Sequence, residues 1–191
     1  MQVGLYGGSF NPPHVGHLLA AVYARAVFPI DEVWFVPCHI HAFAKDLAPF
    51  PHRLALCELA AATLGPWCRA SAIERDLAAL AGAPSSSRTI DTVRALALRH
   101  ADHTFSLIVG SDIVDEIPAW RSSAELRALC PIYVVPRRGS AQPDAPALPD
   151  VSSTAIRARL AAGASIAGLV PKSVDDYIRR HQLFAAAVTT P

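Results

Sequence analysis

"GGSFNPPHVGH", residues 7–17, joins the apolar run at 3–6 to the apolar, helix-like segment 15–27. A chain that leaves a buried strand through Gly7 and Gly8 has no side chains there to hold off a ligand, so a phosphate can approach the main-chain N–H groups closely. Pro12 and Pro13 fix φ and remove conformational freedom from the loop before any ligand arrives. His14 and His17 are three apart. With a helix beginning near Val15, both imidazoles fall near its N-terminus, where unpaired N–H groups already favour negative charge. No Gly-Lys-Ser/Thr follows and the G-x-G-x-x-G spacing is absent, which excludes a Walker loop and the dinucleotide fingerprint.

The rhythm of this stretch recurs along the chain. Short apolar runs at 33–36, 105–109 and 132–135 accompany longer helical patterns such as 52–64. Alternation of this kind predicts an α/β fold, a Rossmann-like doubly wound parallel sheet with helices on both faces. The runs are continuous and do not alternate with polar residues, as expected of strands covered on both sides. Ligands of such sheets bind beyond the carboxyl ends of the strands, near the reversal of winding. The loops of interest are therefore 7–17, 37–51, 110–121, 136–149 and the stretch 151–154. The segment 138–149, rich in Pro, Ala, Gly and Ser, reads as a surface loop, so residues 1–191 are expected to form one domain, with a frayed tail at 183–191.

The whole chain narrows the possible partners. Its 191 residues are 52% hydrophobic and 17% charged, enough to bury a core, and a net charge of +1 argues against a nucleic-acid partner. No apolar run is long enough to span a bilayer, so no membrane partner is expected. Cys38, Cys57, Cys68 and Cys130 form no C-x-x-C pair, and no export signal is visible, which together predict free thiols and a cytoplasmic location. Assembly into a homo-oligomer is left open.

Residues 7–17 resemble the H-x-G-H signature of the nucleotidyltransferase superfamily in the G-x-F-x-P-x-H-x-G-H form of its small adenylyltransferases. The nearest likeness is to the nicotinate-nucleotide adenylyltransferases, and it covers nearly the whole chain. "SSTAIR" (152–157) is similar to their S-S-T-x-I-R motif, "LIVGSD" (107–112) to their F-x-x-G-x-D strand end, and "TIDT" (89–92) to a segment preceding a helix. Trp120 stands where the family has a tryptophan, and "LVPKSVDDYIRRHQLF" (169–184) resembles its last helix. The implied activity is transfer of the adenylyl group of ATP to nicotinic acid mononucleotide, giving nicotinic acid adenine dinucleotide and pyrophosphate in NAD biosynthesis. Mg2+ is expected to accompany ATP, with no metal site of the protein's own.

By this resemblance His14, His17 and Arg157 are the catalytic residues. ATP is expected to meet Gly7, Gly8, Ser9, Phe10, Gly16, Gly110, Asp112, Arg137, Ser153, Thr154 and Ile156 as well. Ser9, Lys45, Thr89 and Trp120 are expected at the mononucleotide, with Arg53 as a second cation. Residue chemistry supports the second motif independently: Ser153 and Thr154 are good N-caps, and Arg157 would lie one turn into the helix. Such a helix start suits the β- and γ-phosphates, although an ordinary capped helix with a surface arginine has the same sequence. Trp120 could equally be a core-edge tryptophan. Arg88 and Ala42-Phe43-Ala44 depart from the family pattern and leave the acceptor open among nicotinic acid mononucleotide, nicotinamide mononucleotide and phosphopantetheine. A non-catalytic nucleotide sensor is the alternative of another class.

Overall fold

A computed structural model describes residues 1–40, 47–81, 88–137 and 148–185. Five parallel strands, β1 (Gln2–Gly8), β2 (Glu32–Pro37), β3 (Cys68–Ala70), β4 (Thr104–Gly110) and β5 (Ile132–Val135), form one sheet in the order β3-β2-β1-β4-β5. In register, Leu5 of β1 pairs with Trp34 of β2 on one side and Leu107 of β4 on the other. The helices are α1 (Val15–Val27), α2 (Phe50–Ala62), α3 (Ile73–Ala81), α4 (Thr89–Arg99), α5 (Ser123–Leu129), α6 (Ser153–Ala161) and α7 (Lys172–Arg180).

Both faces of the sheet are covered, and β2 shows how one apolar run serves both. Val33 and Phe35 enter a cluster with Ala20, Ala21 and Ala24 of α1, Leu56 of α2, Ile156 of α6 and Ile178 of α7. Trp34 and Val36 point the other way, among Ile73 of α3, Val93 and Leu96 of α4, and Leu126 of α5. Successive strand residues face opposite sides, so a run apolar at every position is what a doubly covered strand requires. The winding reverses between β1 and β4, which places the 7–17 loop at the crevice where open α/β sheets bind ligands.

Several details differ from the sequence expectation. β3 has three residues and no apolar run, and it forms the sheet edge beside β2. The 110–121 segment, read as a loop, contains a 3₁₀ helix at Ser111–Ala119. Thr89-Ile90-Asp91-Thr92 is the first turn of α4, not a lead-in to it. Leu183 and Phe184 pack against the first core cluster, so the fraying expected from 183 does not reach them, and residues 186–191 lie outside the described chain. Among the described residues no helix is long and apolar enough to cross a membrane.

Candidate active site

The first loop is built on an aromatic bed. Phe10, 1% exposed, adopts φ 45° and lays its ring 4.8 Å from that of His17, while Tyr6 lies 5.9 Å from both rings. His14 is the N-cap of α1, and its ring lies 3.8 Å from that of His17. The His14 main-chain N–H donates to His17 Nδ1 at 3.1 Å. With Nδ1 accepting, the His17 proton resides on Nε2, which is the nitrogen left to donate. Gly16 leaves room for this packing: a Cβ there would stand 3.0 Å from His14 Nδ1 and 3.1 Å from its Cε1, so the His14 ring would have to shift.

The second motif docks directly onto that loop. Ser152, one residue before the caps expected from sequence, is the N-cap of α6, and its hydroxyl accepts from Ala155 N at 3.1 Å. Ser153 Oγ instead donates to Pro12 O at 2.8 Å. Arg157 donates through Nη1 to Asn11 O at 2.9 Å and through Nη2 to Thr154 Oγ1 at 3.3 Å. A guanidinium carries five N–H groups, so three remain for a ligand. Ile156, expected at ATP, has 0% exposure in the core, and its N–H closes the first helical turn on Ser152 O at 3.1 Å. From this motif it is Ser152, Ser153, Thr154 and Arg157 that reach the opening.

Between the two motifs lies a cleft of about 520 Å³, a volume suited to a small-molecule ligand. Ser9, Phe10, Asn11, His14 and His17 line it together with Ser152, Ser153, Thr154 and Arg157, and Leu47 and Arg137 complete the lining. Arg137 Nη1 pairs with Asp112 Oδ2 at 3.1 Å, and its main-chain N–H donates to Ser111 Oγ at 2.9 Å. Gly110 fits beneath this pair because a Cβ would collide with the Asp112 carboxyl and approach Arg137 Cδ to 2.8 Å. Gly110 and Asp112 border the smaller spaces beside Arg137, Leu148 and Pro149, adjoining the main cleft.

A cytidylyltransferase-like family model matches residues 5–159, which spans both motifs, the second half of β1 and the other four strands. A relative from Myxococcus xanthus (strain DK1622), named probable nicotinate-nucleotide adenylyltransferase, is 42% identical over 186 residues, 96% of this chain and 95% of its own. One of the same name from Anaeromyxobacter sp. (strain K) is 46% identical over 184 residues, 96% of each chain. The chain belongs to the nicotinate-nucleotide adenylyltransferase family. The fold agrees across greater distance: Plasmodium falciparum nicotinic acid mononucleotide adenylyltransferase, solved with NaAD, superposes with a TM-score of 0.72 at 18% identity, covering 96% of this chain and 97% of that one.

Electrostatically, this adenylyltransferase-family cleft holds its histidines neutral. Burial, followed by Arg137, draws His14 down to about 4, and burial, then His14 and Arg137, holds His17 well below the usual imidazole range. Each imidazole therefore offers one N–H at neutral pH and carries no charge. The unfolded chain protonates both near pH 6.5, whereas the folded chain resists protonation until near pH 4 at His14 and until well below the usual imidazole range at His17. Stability is thus fully present above about pH 6.5 and falls as the pH drops from there toward 4, by up to about 1.4 kcal/mol per pH unit for each imidazole. Urea midpoints at pH 7, 6 and 5 are expected to fall in that order, and His14→Asn is expected to flatten the slope.

The remaining candidates are dispersed. Lys45 lies outside the described residues. Thr89 opens α4 and Trp120 follows the 3₁₀ helix, where it packs against the second core cluster; neither lines the main cleft. A Cβ at Gly7 would meet open space, whereas one at Gly8 would stand 3.3 Å from the Phe10 ring. Arg53, expected as a cation for the acceptor, is sealed in the interior at 1% exposure and bonded to main-chain carbonyls, so it is not available to a ligand. Asn11, Leu47 and Ser152 line the cleft although the sequence reading passed over them. Ser152 carried a signal, as a hydroxyl residue directly before a helix start.

Proposed function

We propose that this chain transfers the adenylyl group of ATP to nicotinic acid mononucleotide, releasing pyrophosphate, and that it does so in the cytoplasm as a step of NAD synthesis. The observation that carries the reading is the Arg157 bond to Asn11 O, which draws the second motif against the H-x-G-H loop around one cleft. Two donor sets that meet there suit the two ends of a triphosphate.

The acceptor's phosphomonoester has a second pKa near ~6, so its attacking oxygen is ionised at neutral pH and no general base is needed. The protein's work is to align that oxygen with the α-phosphorus and to stabilise the charge that grows on the α-phosphoryl and leaving oxygens. His14 and His17 serve the α- and β-phosphates as neutral donors beside the Gly7–Phe10 backbone. Arg157, with the hydroxyls and first amides of α6, receives the leaving pyrophosphate. Gly110, Asp112 and Arg137 border the adenosine, while Ser9 and Lys45 meet the mononucleotide and Thr89 and Trp120 are assigned to its far end, outside the main cleft, on the family resemblance alone. Mg2+ is expected to enter with ATP as part of the nucleotide substrate, with phosphate oxygens and water supplying most of its ligands.

The test is pyrophosphate release from ATP with nicotinic acid mononucleotide, its amide or phosphopantetheine as competing acceptors. Release is expected to be fastest with nicotinic acid mononucleotide. Faster release with either other acceptor reassigns the substrate, and no release with any acceptor leaves a nucleotide sensor.

A further inference from the structure

The first turn of α2 carries a guanidinium that solvent does not reach. Arg53, 1% exposed, donates to four main-chain oxygens. Nε meets Ala48 O at 2.8 Å, Nη1 meets Ser9 O at 3.0 Å and Cys38 O at 2.7 Å, and Nη2 meets His39 O at 3.2 Å. These oxygens belong to three separate stretches: the loop after β1, the loop after β2 and the entry to α2. Glu74 of α3 accepts from His39 N at 2.9 Å, so the peptide unit between Cys38 and His39 is gripped at its oxygen and at its nitrogen.

Tying loops together does not by itself require a buried charge, which is costly to desolvate. A guanidinium adds a rigid fork whose donors have fixed directions. Direction matters at Ser9 because the next residue, Phe10, has φ 45°, a left-handed value that a bulky L side chain keeps only when its surroundings impose it. Both sides of Phe10 are restrained. Arg53 holds Ser9 O, Ala48 N donates to Asn11 Oδ1 at 3.0 Å, and Arg157 holds Asn11 O at 2.9 Å. Ala48 O is itself held by Arg53, so an unbroken path runs from Arg53 through Ala48 and Asn11 to Arg157. The turn fixed by that path is the one that seats the Phe10 ring beneath His17.

We propose that Arg53 is a positioning residue for adenylyl transfer: its fork fixes the strained Ser9–Phe10–Asn11 turn, and through that turn keeps His17 and Arg157 on the same triphosphate. The inference rests on the reading of the cleft as the triphosphate site. Arg53 touches neither substrate, so its loss is expected to appear in turnover and not in binding.

The experiment compares the wild type with Arg53→Lys, Arg53→Ala and Asn11→Ser for kcat, KM of each substrate and thermal midpoint. Arg53→Lys is expected to lower kcat by about 30-fold with both KM values within about threefold, because small misplacement of reacting groups acts on the transition state. Guanidinium ion at tens of millimolar, below denaturing levels, is expected to restore kcat in Arg53→Ala by about tenfold, and methylammonium is not. Should Arg53→Ala fail to fold, Asn11→Ser reads the same path without emptying the core, and its kcat loss is expected to be non-additive with Arg53→Lys. An Arg53→Lys enzyme with wild-type kcat, or one whose loss lies wholly in KM, overturns the inference. A wild-type chain that releases no pyrophosphate overturns the reading of the cleft instead.

Discussion

Replacing His17 by alanine is expected to lower kcat by about 10²–10³-fold while the KM for the mononucleotide changes by no more than about threefold. The expectation comes from the state of the ring. His14 N donates to Nδ1, which assigns the proton to Nε2, and burial beside Tyr6, Phe10 and His14 keeps the imidazole neutral. A fixed neutral donor in a partly dehydrated cleft adds little to ground-state attraction and most where charge accumulates on phosphoryl oxygens, so its removal acts on turnover. Alanine also leaves a gap in the aromatic bed, so rates must be compared well below the thermal midpoint of each variant. His17→Asn, which restores an N–H on a shorter side chain, is expected to regain part of the loss. If His17→Ala melts earlier but turns over at the wild-type rate, the ring serves packing alone, and the assignment of the first loop to the triphosphate falls.

That loop was legible in the sequence because its conformation demands particular residues. Glycines at the strand exit, consecutive prolines and paired histidines before an apolar run each constrain the backbone or the ligand chemistry locally. The central strands were legible for a similar reason, since burial on both faces leaves little room for polar residues; Ser106 of β4 is accommodated with its hydroxyl bonded to Val3 O. Arg53 was not legible. An arginine in the first turn of a helix reads as a cation near solvent or ligand, and its actual partners are carbonyl oxygens that every residue possesses and no sequence marks. The cap of α6 slipped by one residue because Ser152, Ser153 and Thr154 are all competent caps, and only the docking of Ser153 onto Pro12 O decides among them. β3 escaped notice because an edge strand of three residues with an exposed Arg69 needs only one good neighbour, here Val33 to Phe35 of β2. The neutrality of the histidines is likewise a property of packing that no local pattern records.

Arg157→Ala is expected to cost about 10²-fold in kcat, and Arg157→Lys to recover only a minor part of it. The two hydrogen bonds that Arg157 makes within the protein explain why charge alone does not suffice. Nη1 is committed to Asn11 O and Nη2 to Thr154 Oγ1, so the planar group is held in one orientation with three N–H groups unused. An ammonium on a flexible stem can reach a phosphate or the loop, but it cannot span both in that plane. If Arg157 meets the leaving pyrophosphate, the reverse reaction isolates its role. With dinucleotide and pyrophosphate as substrates, Arg157→Ala is expected to raise the KM for pyrophosphate by about tenfold and leave that for the dinucleotide nearly unchanged. The double variant with His17→Ala is expected to lose less than the product of the single losses, since two groups clamping one triphosphate act as a unit. Fully multiplicative losses would place the two side chains on independent ligands and separate the motifs that the bond to Asn11 brings together.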